Sequence, residues 1–496
     1  MRQALHIFRK DVRRLWPEIS IVQATTAGLA FAAGPQTSWD TALSLLTYLL
    51  PVAWCALIAR LVYSESPAAD QPFWVTRPYS RTSLLAAKAL FAAVFVNLPK
   101  FAADVVILRA YGFPILPEMG GLLWNQVLLA SVVVLPVAAL CTVTTGFVQL
   151  ITAVVVIGLA TAGWSMVIGG TGAGVPWFAL EWTRSYSAGL VMVLAALSII
   201  TWQYLRRDTA RSRFAAGGAV VSVYLVLAFL PWTAAFALQS RLCRQTVDVS
   251  RLQVGFDPEM KWAARSLVYR DGTVDVQIPL RIIGAPAPLQ LKAEGITASI
   301  EGAGGEVWRS GQPPITLRSA GELNSLHASL DSAFYNRVKD HPVRIQGSLY
   351  LTLYGNARTA MLPIRDQAEL LPAPGVGLCS ATRTGRQIFL NCRSAFKTEP
   401  GIVTLDLIGR HRFVIGAPAE RLQSLSYPRP ISYCPFPSDG NLIPVTQFTQ
   451  AAEIANSWAS PTVIRTTAFE PVAHVRKDFQ INGLRLADFE PAENRK

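Results

Sequence analysis

From Pro17 to about residue 238 the chain alternates apolar stretches with short polar segments, and each stretch is near the roughly 20 residues a bilayer requires. Seven such stretches fall at about 17–34, 41–63, 84–110, 122–144, 147–169, 186–205 and 214–238, and they predict transmembrane helices. Ahead of them Leu5, Phe8, Val12, Leu15 and Trp16 recur at helical spacing, while Arg2, Arg9, Lys10, Arg13 and Arg14 take the other faces. That pattern predicts a basic amphipathic helix over 1–16, lying in the membrane interface. A signal-peptide start, with Ala30 and Ala32 as its cleavage pattern, is the competing reading. Glu18, Gln23, Thr25 and Thr26 interrupt the apolar region it would need, which favours an uncleaved first span.

Beyond about residue 245 the period changes to two. Val274, Val276, Ile278, Leu280 and Ile282 alternate with polar positions, as do Ile345, Leu349, Leu351 and Leu353, which predicts half-buried strands. Asp271-Gly272, Gly304-Gly305 and Asp439-Gly440 supply turns, and Leu330 to Val338 predicts one short helix. The fold class is thus a multi-span α-helical membrane bundle of about seven helices over 17–238, followed by a β-rich, sandwich-like soluble domain over 239–496. The Pro-rich stretch 371–376 either divides that domain into two β subdomains or bridges two sheets.

Composition agrees with the bundle. Mean hydropathy is +0.32 and only 16% of residues are charged, well below the soluble average of about 25%. The net charge of +13 sits beside apolar spans, which argues for membrane orientation and against nucleic acid. With the N-terminus inside, the inner segments collect the residue 1–16 cations, then Arg77, Arg81 and Lys88, then Arg206, Arg207, Arg211 and Arg213; the outer loops carry Arg109 and Arg184. Seven spans from that start put the β domain outside, in an exoplasmic or periplasmic compartment that suits its cysteines. Cys379 and Cys392 lie equally far from a turn at Gly385 and Arg386, so a hairpin would face them across two strands as a disulfide. Cys243 with Cys434 is the pairing left by exclusion.

Candidate chemistry is sparse. The Gly169–Gly174 run lacks the lysine of a phosphate-binding loop, the five histidines have no metal-ligand spacing, and no nucleophile elbow is present. These observations predict no enzyme, no cofactor and no metal. Within a span, Lys100 and Asp104 share a helix face four residues apart, just after Pro99. Intramembrane ionisable residues mark functional sites by default, although Lys100 could also snorkel toward headgroups from a tilted helix.

The most distinctive stretch is residues 64–88, SESPAADQPFWVTRPYSRTSLLAAK, read as an inner loop between the second and third spans. The layout resembles the membrane subunits of ABC-2 type exporters: a basic amphipathic start, two spans, a loop carrying FWVTRPYSR, four further spans, and WFALEW ahead of the sixth, which ends in YLRRDTARSR. The resemblance covers about residues 1–213. It implies a bacterial inner-membrane permease-like subunit working as a homo- or heterodimer of bundles. It also implies a separate ATPase partner, contacted through Phe73, Trp74, Arg77 and Arg81. The seventh span and the β domain depart from that pattern and imply an outer recognition role. The alternative expectation is a non-transporting membrane anchor for an exoplasmic β-sandwich used in sensing, adhesion or scaffolding. In that case the loop residues serve only to orient and seat the flanking helices.

Overall fold

A computed structural model of the chain describes residues 2–34, 40–65, 80–170, 181–206, 208–243, 247–259, 265–268, 272–284, 289–310, 318–320, 323–385, 387–396, 402–409, 421–426, 443–453 and 461–489. It opens on the amphipathic helix α1 (Arg2–Arg14), whose last turn carries Arg13 and Arg14 against the negative end of the helix dipole. A bend at Leu15 leads into α2 (Trp16–Ala32), with Pro17 in its first turn, where a missing N–H costs nothing. Then follow α3 (Asp40–Tyr63), α4 (Arg81–Ala92), α5 (Leu98–Ala110), α6 (Met119–Leu129), α7 (Leu135–Val143), α8 (Phe147–Gly170), α9 (Glu181–Arg206), α10 (Thr209–Phe229) and α11 (Trp232–Leu242).

Among the described residues five helical stretches are long and apolar enough to cross a membrane: Thr41–Tyr63, Arg81–Ala110, Met119–Val143, Thr183–Arg206 and Thr209–Phe229. Helix α2, with 17 residues, and the Phe147–Gly163 part of α8 fall short of that length. The expected span over 214–238 does not form as one helix. It stops at Phe229, because Pro231 has no N–H to donate and drives Leu230 out of helical geometry, to ψ 115°. The remainder becomes α11. The loop expected over 64–88 is also shorter than its composition implies. Ser80 caps α4 by accepting from the Ser83 N–H at 3.1 Å, so residues 81–88 are helix.

The prolines inside the third and fourth apolar stretches are instead accommodated without a break in the helix. A five-residue π turn, Ala93–Asn97, precedes Leu98-Pro99, and another, Ala130–Val134, precedes Leu135-Pro136. In each, the residue before proline donates five back, Leu98 to Ala93 and Leu135 to Ala130. The wider turn makes room for a ring that would otherwise clash with a carbonyl of the preceding turn.

The β region contains β1 (Gln253–Phe256), β2 (Arg265–Val268), β3 (Thr273–Ile283), β4 (Gln290–Glu301), β5 (Val307–Arg309), β6 (Arg318–Ala320) and β7 (Leu323–Asp331). The short helix α12 (Ser332–Val338) follows, capped by Asp331. Next come β8 (Val343–Arg365), β9 (Leu371–Ala373), β10 (Gly377–Thr384), β11 (Gln387–Ala395), β12 (Ile402–Gly409), β13 (Arg421–Ser426), β14 (Val445–Glu453) and β15 (Pro461–Leu484). One sheet runs β1-β3-β7-β6 with β2 beside β3; the other is ten-stranded along β13-β12-β15-β8-β10-β11-β14.

Two long antiparallel strands, β8 and β15, hold this region together, with register from Val343↔Leu484 to Pro363↔Val463. At one end their inner faces, with β4, pack against the smaller sheet as a sandwich around Val276, Ile278, Leu326, Ile345, Leu351 and Leu353. At the other end they contribute Leu362, Ile464 and Ala468 to a second core containing Ile388, Leu390 and the two cysteines. Bulges at Ala468/Glu470 and Pro471/Ala473, with Asn356 held at φ 52°, mark where the cores change over. Of the 371–376 stretch, Leu371–Ala373 is an edge strand on β10 within the second core, and β8 and β15 run through both cores.

The β region is seated on the bundle at two places. Tyr111, Phe113 and Leu122, at the α5–α6 turn, pack with Leu378, Ala395, Phe396 and Ile443, and the Arg393 guanidinium lies 5.0 Å over the Tyr111 ring. Phe396 adopts φ 44°, an uncommon conformation for a bulky side chain, and its ring covers Gly121, where a Cβ would come within 2.5 Å of it. At the second seat Trp232 and Phe236 of α11 pack edge-on against Tyr350, at 4.5 and 5.1 Å between ring centres. Gly121→Ala is expected to unseat Phe396 and lower stability by about 1–3 kcal/mol, the usual cost of overpacking. The thermal midpoint of the full chain in detergent reads this out. Adding Phe396→Ala should recover most of the loss, whereas an unchanged midpoint in Gly121→Ala would mean that the ring does not sit there.

Candidate functional site

Among the described residues, a cluster of two lysines and two carboxylates joins α1 to the flanks of the 66–79 segment. Helix α1 presents Ile7, Asp11 and Leu15 on one stripe, all at most 2% exposed, and Phe8 stacks on Phe95 at 5.9 Å. Asp11 is the one carboxylate on that otherwise apolar stripe, and burying it alone would cost several kcal/mol. Lys88 of α4 meets it at 2.8 Å. The Lys88 ammonium also lies 3.2 Å from Glu65 and donates to the Ser64 hydroxyl at 3.1 Å. Lys10 completes the group with an ion pair to Glu65 and a longer approach of 3.8 Å to Asp11. Two cations thus share two carboxylates. Burial alone would push the Glu65 carboxyl up, but Lys88 and Lys10 beside it bring it below its ordinary value.

This cluster sits at the root of the segment read as a coupling loop. Glu65 is the last described residue before it, and Ser80 and Arg81 are the first after it. The Arg81 guanidinium donates to the Leu205 carbonyl at the end of α9, and Ser83 donates to Gln3 of α1 at 3.4 Å. Phe73, Trp74 and Arg77 lie outside the described residues. Of the four expected loop residues, the structure therefore places Arg81 alone, at a junction of α1, α4 and α9.

Lys100 and Asp104 are brought together as an ion pair inside the bundle, at 3% and 0% side-chain exposure. Asn125 of α6 donates to the other Asp104 oxygen at 2.9 Å, and Asn97 donates to the Gln126 carbonyl at 3.0 Å. The pair is therefore part of an α5–α6 polar contact. Asp104 stands seven residues before Tyr111, about 10 Å along the helix axis from that seat of the β region.

The remaining expected residues fall in the β region. Cys379 and Cys392 occupy directly paired positions of β10 and β11, and their sulfurs are bonded, with the hairpin turning at Gly385, φ +61°. Cys243 ends α11, while Cys434 lies outside the described residues. Under α11, His474 accepts or donates a 2.9 Å hydrogen bond with Thr352, and burial pushes its imidazole down to about 4. Nearby Glu294 projects from the β4 bulge, its carboxyl raised by burial. Among the described residues no group of three or more His, Cys, Asp or Glu could hold a metal ion.

Neither run length nor loop charge brings Lys10, Asp11, Ser64 and Glu65 together. Spacing carried the signal: Asp11 stands four residues from both Ile7 and Leu15, and Lys88 four from Leu84, so both charges occupy core-facing positions of their helices. Compared with known proteins, the chain matches no family model and no curated protein matches it in sequence.

Breaking the junction should be costly. Lys88→Met leaves Asp11 buried without its nearest cation and is expected to lower stability by about 3–5 kcal/mol, measured as thermal midpoint in detergent; Asp11→Leu added to it should restore much of the loss. The pH dependence follows from the depressed Glu65 carboxyl. Its stabilisation is complete above the ordinary glutamate value of 4.5 and is lost as pH falls through the lower folded value. Acid should therefore loosen α1, read as protease cleavage near Arg13 and Arg14. Cleavage that stays constant on acidification would remove Glu65 from the account.

Proposed function

We propose that the protein is the permease-like membrane subunit of an ABC-2 type export system, driven by a separate ATPase through the 64–88 segment. On this reading the N-terminus is cytoplasmic in a bacterial inner membrane. Helices α2 and α8 add two spans to the five long ones, and the β region stands outside to recognise substrate or an envelope partner. The bundles pair as homo- or heterodimers, and the chain carries no catalysis of its own. One observation carries the proposal: the junction of buried Asp11, Glu65 and Lys88 with half-buried Lys10 locks the interfacial helix to both ends of the segment bearing Phe73, Trp74, Arg77 and Arg81. A push on that segment would reach α1, α3 and α4 together, with Arg81 carrying it to α9. A membrane anchor for an extracytoplasmic β domain would need no such shared root.

A second reading, the anchored β-sandwich for sensing, adhesion or scaffolding, is favoured by the double seating of the β region on α5–α6 and α11. Capture from native membranes in mild detergent separates the two readings. The permease reading expects a co-purifying ATPase with a phosphate-binding loop, lost on joint Arg77→Glu and Arg81→Glu substitution. Recovery of envelope proteins alone, indifferent to that change, would favour the anchor.

A further inference from the structure

Helix α9 carries a groove that the junction and the β-region seats do not use. Ile199, Ile200, Gln203 and Tyr204 are buried against the bundle, whereas Leu197, Ser198, Thr201, Trp202, Leu205 and Arg206 line a groove of about 450 Å³ on another face. Leu197, Trp202 and Leu205 are 45%, 39% and 55% exposed, on a helix apolar and long enough to cross a membrane. In that setting the groove opens onto lipid. At its end the Arg206 guanidinium lies 5.3 Å over the Trp202 ring, and no described carboxylate pairs with it. Arg81, also at this helix end, is turned onto the Leu205 carbonyl and adds a second positive charge there.

We propose that this groove binds one anionic phospholipid, with the headgroup phosphate on Arg206 and an acyl chain along Leu205, Trp202 and Leu197. The dimensions suit that occupant. Nine residues of helix separate Leu197 from Arg206, about 13 Å, which matches the length of roughly ten methylenes lying from the headgroup level inward. Tryptophan favours the membrane interface, and a guanidinium offers a planar pair of donors to a phosphate. An unpaired cation beside a second arginine selects negative headgroups over zwitterionic ones, as basic pockets between membrane helices do. The hydroxyls of Ser198 and Thr201 do not compete for the phosphate: Ser198 donates to the Leu194 carbonyl within its own helix, and Thr201 lies a full turn deeper than Leu205. The inference rests on the membrane bundle and is independent of the permease reading.

The test is native mass spectrometry of the full chain after incubation in detergent with equimolar phosphatidylglycerol and phosphatidylethanolamine of identical acyl chains. The wild type should retain one phosphatidylglycerol at least five-fold over phosphatidylethanolamine. R206Q should bring that ratio to near one, and R206K, which keeps the charge, should hold the preference. L197W fills the apolar part of the groove without touching charge and should lower retention of both lipids. Arg9→Gln, on the exposed side of α1, should leave the single retained lipid in place. A ratio unchanged in R206Q would overturn the proposal. So would loss in R9Q equal to that in R206Q with L197W silent, which would assign retention to the basic belt as a whole. Displacement by soluble glycerol phosphate at comparable concentration would overturn the acyl component and leave a phosphate site only.

Discussion

Charge in a low-dielectric setting has to be paired, and much of the bundle's organisation follows from that constraint. Asp11 on the apolar stripe of α1 can be buried only where a cation waits, and Lys88 of α4 supplies it. Glu65 then has to lie close by, because one carboxylate does not balance the two lysines. The result fixes the angle at which α1 meets the bundle and brings the end of α3 to α4. Hydrophobic contacts of Ile7 and Leu15, about 1.5–3 kcal/mol each when fully buried, hold α1 down but do not choose its register. The ion pairs do, since a shift of one residue would leave Asp11 without a partner.

The same rule acts at Lys100 and Asp104, with a different outcome. There the two charges neutralise each other on one helix, and the residual acceptor capacity of Asp104 is met by Asn125 of the neighbouring helix. Polar groups thus serve as register marks between α5 and α6, much as Asn97 does on the Gln126 carbonyl. Directly beyond lies the turn that receives Phe396 and Arg393, so the β region is seated on the helix pair whose spacing this polar contact sets.

Much of this was legible in the chain. Apolar run length located four of the five long helices and overran the end of the fifth, because bilayer thickness and helix rise leave little freedom in how long a span can be. Alternation located β3 and β8, and equal spacing about Gly385 brought Cys379 opposite Cys392. What was missed depended on contacts between distant segments. Hydropathy summed over 214–238 hides the break at Pro231, since Trp232 and Phe236 keep the window apolar while packing on Tyr350 of the β region. Composition left the Pro-rich 371–376 open between a division and a bridge, and the change of core at bulges within β8 and β15 depends on pairing partners over 100 residues apart. Asp11 and Glu65 read as ordinary surface charges until α4 is brought beside them.

A consequence of the shared strands is that the two β cores are mechanically linked. One end of β8 and β15 forms the sandwich beneath α11, and the other forms the core that carries the disulfide and touches the α5–α6 turn. The α11 seat therefore lies on β8 itself, and the α5–α6 seat on β10, β11 and the start of β14, in the core that the two long strands help to build. Movement of α11 relative to the α5–α6 turn has to pass through this ribbon and the β10–β11 hairpin paired to it, and the ribbon can bend where the bulges and Asn356 already depart from regular pairing. Any movement passed between bundle and β region must then be taken up at that hinge or at the seats themselves. The half-buried Phe396 over Gly121 and Tyr350 under Trp232 are close-packed contacts that admit discrete rearrangement more readily than continuous sliding.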